Sequence, residues 1–145
     1  MPEGFDSVTV RITDAAGEVC EICTWLADDL PTRAQGLMGV TDLGGRAGMA
    51  FAYSEPSTTS FFMFSTPTPL SIAWFGADGR FVGETDMEPC LTADSSDCPR
   101  YAPESPFVLA IEVPRGGLDD LGIGPGSTAE VVPGTRAAEC ADVSS

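Results

Sequence analysis

Positions 8–13 (Val-Thr-Val-Arg-Ile-Thr) alternate apolar and polar residues, the period of a half-buried strand. Asp14 to Gly17 supply turn chemistry, and positions 19–27 carry Val, Ile, Trp and Leu, so the two runs read as a hairpin. Acidic Asp28 and Asp29 with Pro31 then predict a helix start, and Gly39 leaves it only about two turns. A glycine-rich link at 44–48 leads into a strand that puts Met49, Phe51 and Tyr53 on one face. The densest apolar stretch, Ser60 to Phe75, divides into strands at 59–63 and 70–75 around a Thr-Pro-Thr-Pro bend whose prolines cannot donate to a central ladder. The turn Gly76-Ala-Asp-Gly79 pairs 70–75 with 80–87 in a second hairpin.

Residues 88–106 are rich in Pro, Ser and Asp and read as a long loop bracketed by Cys90 and Cys98. Positions 107–113 are apolar almost throughout, as in a strand buried on both faces. One or two helical turns follow at 115–121, then a glycine turn and a last strand at 128–132. With no internal repeat, about eight short strands and two short helices predict one mainly β domain over residues 1–132, a β-sandwich or partly closed barrel. Residues 133–145 read as a loose tail apart from Cys140.

Charge narrows the partners. Against 7 basic residues stand 22 acidic ones, a net charge of -15 spread along all 145 residues, which disfavours nucleic acid and anionic membrane surfaces as partners. Its plainest role is a solvated surface. The chain has no His, Lys or Asn, so Ser-His-Asp and Cys-His pairs, imidazole metal ligands, Schiff bases and a P-loop lysine are all excluded. No apolar run approaches the roughly 20 residues that span a bilayer, and direct membrane insertion is not expected. The N-terminal residues lack signal-peptide character, yet five Cys in a small domain point to an oxidising compartment, so an exported or anchored protein whose leader was removed is the expectation.

Several ordered motifs add to this reading: Gly36-Leu-Met38, Gly48-Met-Ala-Phe51, Ser60-Phe-Phe-Met63 with Thr66, Pro69-Leu-Ser-Ile-Ala73, and Glu88-Pro-Cys90 with Cys98-Pro-Arg-Tyr101. In order and spacing, over residues 19–132, they resemble the bacterial and archaeal family known as domain of unknown function 192. The resemblance implies a compact, mainly β fold of jelly-roll or sandwich type, often exported or lipid-anchored, with no established activity. Two departures stand out. Phe64 lies where the family usually has Lys and Ser71 where it usually has Asp, so a charged pair is missing.

Cys20 and Cys23 are three apart on a predicted strand, about 10 Å from one another and on opposite faces, beyond the roughly 7 Å a disulfide tolerates. With no helix directly after them, neither a redox pair nor a zinc site is expected. Cys90 with Cys98 is the expected first disulfide. Cys140 can reach Cys20 or Cys23; if Ile22, Thr24 and Leu26 face the core then Cys20 does too, so the pairing expected is Cys23 with Cys140, leaving Cys20 a buried thiol.

Glu84, Asp86 and Glu88 alternate on one strand face, the spacing of an acid-base pair or a calcium site, although a solvated face accounts for them as well. Asp94 to Asp97 lack the glycine and glutamate of a calcium loop. Arg33 and Arg100 are candidate anion clamps that surface ion pairing also explains. Phe61 to Phe64 are four consecutive large apolar residues, so either both faces of their strand are covered or an aromatic patch is left for a partner. The expected function is an extracytoplasmic, non-catalytic binding module for a small ligand, a glycan or a protein segment. Its groove would lie beside residues 60–75, formed by Met38, Phe61, Phe62, Met63, Phe64, Thr66, Ser71 and Tyr101, with no cofactor or metal. The alternatives are a carboxylate hydrolase using Glu84, Asp86 and Glu88 with Tyr101 nearby, and a purely structural domain of an envelope assembly.

Overall fold

A computed structural model describes residues 2–140. Seven strands form one sheet: β1 (Asp6–Thr13), β2 (Val19–Ala27), β3 (Gly48–Ser57), β4 (Leu70–Phe75), β5 (Phe81–Met87), β6 (Phe107–Pro114) and β7 (Thr128–Val131), in the order β5-β4-β6-β3-β2-β1-β7. Neighbouring strands are antiparallel except β2 and β3, which run parallel. Both predicted hairpins form, β1 with β2 and β4 with β5. The sheet curls until its edges touch at one corner, where Arg80 bridges Thr128, Phe81 N donates to Ser127 O at 3.0 Å and Ala129 N donates to Gly79 O at 2.9 Å. Of the two expected architectures this is the partly closed barrel, left open along the rest of the β5 and β7 edges.

Alternation along the strands creates two cores. The face enclosed by the curl holds Val8, Val10, Ile12, Phe75, Leu109, Ile111 and Val113. The opposite face holds Trp25, Met49, Phe51, Ile72, Trp74 and Phe107, and is covered by α1 (Leu30–Gln35), the 58–69 segment and the 88–106 loop. β6 is therefore buried on both sides, as its near-continuous apolar pattern predicts.

Three elements differ from expectation. Residues 59–63 make no ladder; only isolated bridges tie Phe61 to Tyr101 and Phe64 to Cys90. Prolines at 56, 67 and 69 flank that run and deny it donors for a continuous ladder. The second helix shrinks to a 3-10 turn at Asp119–Leu121, because Gly116 and Gly122 adopt positive φ on either side. The tail at 133–140 lies along β1 beyond its disulfide, with Ser7 and Ala137 exchanging backbone hydrogen bonds of 2.6 and 3.0 Å. Residues 141–145 of the predicted tail lie outside the described residues.

Both expected disulfides form. Cys23 joins Cys140 with Cα atoms 5.9 Å apart, and Cys90 joins Cys98 at 5.8 Å. Cys20 packs against the enclosed core as predicted but is half-buried rather than buried, because it lies near the start of β2 where the strand leaves the core.

Candidate functional site

The covered outer face is where the apolar surface is not fully filled. α1 is short but firmly placed: Asp29 caps it through Thr32 N at 2.9 Å, and the Thr32 hydroxyl answers the Asp29 backbone, a capping box. It ends at Gly36, whose φ of 47° and ψ of -132° favour glycine and whose Cβ, if present, would stand 3.2 Å from the Phe51 ring. Arg33 fixes the helix to β3, donating from Nη1 to Ala52 O at 3.0 Å with its guanidinium 4.6 Å from the Tyr53 ring centre.

The 58–69 segment forms the opposing wall. Phe61 and Tyr101 exchange backbone hydrogen bonds of 2.7 and 2.8 Å, and Cys90 N donates to Met63 O at 3.1 Å, so the segment hangs on the disulfide-closed loop. The Phe61 ring meets Phe51 edge-on at 5.2 Å and also contacts Phe107 and Trp74. Gly39 N donates to Ser65 O at 2.8 Å, joining the two walls at one end.

Between them lies a cavity of about 530 Å³, lined by Phe51, Tyr53, Phe61 and Phe62, by Arg33, Met38, Ser60 and Thr66, and by Glu112. Glu112 sits on β6 opposite Met49 of β3 and Ile72 of β4, both fully buried, and is itself 4% exposed. Gly48 keeps the adjoining backbones close: a Cβ there would lie 1.9 Å from the Glu112 carbonyl oxygen. Among the described residues nothing pairs with the Glu112 carboxyl, and burial alone pushes its pKa up to about 8. An unpaired carboxyl at this depth holds its proton, because the charged form has no compensating partner. Tyr53 is likewise raised by burial, against the pull of Arg33.

Of the residues read from the sequence as a groove, Met38, Phe61, Phe62 and Thr66 line this cavity. Met63 is core at 1% exposure. Phe64 is half-buried and stacks on Phe62 at 6.0 Å, with Arg100 over the Phe62 ring at 4.4 Å. Tyr101 contributes its backbone to Phe61 rather than a side chain to the cavity. Ser71 points to the other face of β4, donating to Asp86 Oδ1 at 2.6 Å and accepting from Gly116 N at 3.1 Å. Glu84, Asp86 and Asp119 edge a separate cleft beside Ser71, where burial and the neighbouring carboxylates raise Glu84. Asp86 and Glu88 are both ion-paired to Arg115. Among the described residues, no group of three or more Cys, Asp or Glu is arranged to hold a metal. Glu112 was missed at the sequence level, although its signal was present: a lone acid inside an apolar run read as buried on both faces.

The family model for DUF192, described as an uncharacterized ACR, matches residues 11–131. The chain belongs to this family. Among solved structures, the family member's fold resembles a protein of unknown function from Novosphingobium aromaticivorans, at 29% identity and TM-score 0.75, with 88% of this chain and 87% of that one covered. It also resembles a proposed transcription regulator from Sinorhizobium meliloti, at 24% identity and TM-score 0.74, covering 90% and 98% respectively. No curated protein matches the chain. Membership in the family thus brings a fold and no assigned chemistry.

Proposed function

We propose that the domain is an extracytoplasmic, non-catalytic binding module for a small molecule, held in the cavity between α1 and the 58–69 segment. The observation that carries this reading is the unpaired carboxyl of a buried residue, Glu112, in the lining of a recess that also holds four aromatic rings. Such a group is unfavourable to bury without a partner and has no packing role that Gln or Leu could not fill. The cavity volume of about 530 Å³ falls within the range of small-molecule sites and is narrow for a glycan chain or a peptide. Two disulfides in a domain of this size support an oxidising location. No helix among the described residues is long and apolar enough to cross a membrane. A hydrolase built on Glu84, Asp86 and Glu88 has less in its favour, since Arg115 ion-pairs with Asp86 and Glu88.

Amide chemical-shift mapping with a library of small aromatic and aliphatic probes tests the proposal. Hits should perturb Gly36, Phe62 and Thr66 first. The variant Ala34→Trp, which fills the mouth from an exposed helix position that also lines the cavity, should abolish them while the melting temperature stays near that of the wild type. Shifts scattered over the surface, or unaffected by A34W, would overturn the reading.

A further inference from the structure

We infer that the cavity takes a small organic cation, an amine carried on an apolar body, with the Glu112 carboxylate as its counter-charge. This rests on the binding reading above and names the ligand class of that same site. The lining mixes apolar and aromatic residues with neutral polar side chains such as Gln35 and Thr66, and its charged groups are Arg33 and Glu112, which discriminate among ligands. Glu112 is 4% exposed, lines the cavity and has no hydrogen-bond or ion-pair partner among the described residues, which leaves its carboxyl free to meet a ligand. The other titratable groups on the lining are Arg33 from α1 and Tyr53 from β3. β4 presents Ile72 opposite Glu112, and the 59–66 segment presents rings and hydroxyls.

An anionic ligand would need Arg33, whose guanidinium already donates to Ala52 O and lies over the Tyr53 ring, and would face the carboxyl and the net charge of -15. A neutral ligand would leave Glu112 protonated and use one hydrogen bond. An ammonium does more. It displaces the carboxyl proton to solvent, one proton per cation bound, and gains a charge-assisted ion pair with the carboxylate. The rings of Phe51 and Phe61, which also line the cavity and carry no guanidinium over them among the described residues, offer aromatic contact to the amine's apolar body.

Calorimetric titration with phenethylamine, 2-phenylethanol and phenylacetate between pH 6 and 9 tests the assignment. Because the empty site keeps its proton up to about pH 8, amine affinity should rise roughly fifty-fold from pH 6 to pH 8 and then level. At pH 7, buffers of different ionisation heat should report close to one proton released. Glu112→Gln, which mimics the protonated acid and so preserves the fold, should flatten the pH profile and weaken amine binding at pH 8 at least tenfold, leaving 2-phenylethanol unchanged. Amine binding that is independent of pH and of E112Q, or phenylacetate binding tighter than phenethylamine, would overturn the assignment; if that binding is still abolished by A34W, the cavity remains a ligand site of another class. Absence of any A34W-sensitive binding by all three probes would overturn both readings.

Discussion

Glu112 concentrates the chemistry of this domain, and it links the site to stability. In the folded chain its carboxyl keeps its proton to about pH 8, whereas in the unfolded chain it releases it near the ordinary glutamate value of 4.5. Between those limits the native state binds more protons than the unfolded one, so Glu112's contribution to stability is highest below about pH 4.5 and is lost as pH rises towards 8. The slope is at most about 1.4 kcal/mol per pH unit. E112Q should therefore match the wild type in urea unfolding at pH 4.5 and exceed it by a few kcal/mol at pH 8.5; equal stabilities at both would show that the carboxyl is solvated or paired. The sequence displayed this residue without its meaning. An acid within Phe107-Val-Leu-Ala-Ile-Glu-Val113 is anomalous in a strand buried on both faces, but only the register places it opposite Met49 and Ile72 and beneath the cavity. Gly48 is similar: a glycine at a strand start reads as a linker until the 1.9 Å approach to the Glu112 carbonyl is seen. Gly48→Ala should destabilise by about 2 kcal/mol or more in the same assay.

At the level of elements, the aromatic run shows what a hydrophobic period can and cannot establish. Four consecutive large apolar residues, Phe61-Phe-Met-Phe64, imply a segment with two apolar faces, and the two faces are real. Phe61 and Met63 point into the core at 8% and 1% exposure, while Phe62 and Phe64 stack outside it. The ladder is absent, because pairing depends on long-range partners that the flanking prolines restrict. Instead the 88–106 loop holds the segment, and its disulfide closes the loop across a separation of 8 residues. Replacing Cys90 and Cys98 by Ser should lower stability by about 2 kcal/mol and loosen the Phe61 wall, visible as faster amide exchange at Phe61 and Tyr101. Unchanged exchange would show that the wall stands without its staple. The pairing of Cys23 with Cys140 was legible from strand parity, since Ile22, Leu26 and Cys20 share the enclosed face and Cys23 takes the other.

Charge is a property of the whole molecule, and it was legible from composition alone. Among the described residues three arginines each bridge two acids: Arg11 joins Glu21 and Glu130, Arg115 joins Asp86 and Glu88, and Arg136 joins Asp6 and Asp28. With 22 acids and 7 basic residues most carboxylates remain unpaired, so the folded state repels itself. Raising salt from about 0.05 to 1 M shortens the Debye length to roughly 3 Å and should raise the melting temperature by several degrees. A flat or falling salt dependence would contradict that balance. The closure of the sheet was less legible than its strand content, since the meeting of Arg80 with Thr128 depends on the accumulated twist of seven strands, to which no single stretch testifies.

One buried, unpaired carboxyl in the lining of the recess is the central feature of the domain. Titration of the ligand-free domain, selectively labelled with carboxyl-13C glutamate and with Glu112 assigned by comparison with E112Q, measures that directly. The predicted result is a Glu112 midpoint near pH 8. A midpoint within the ordinary glutamate range near 4.5 would contradict it.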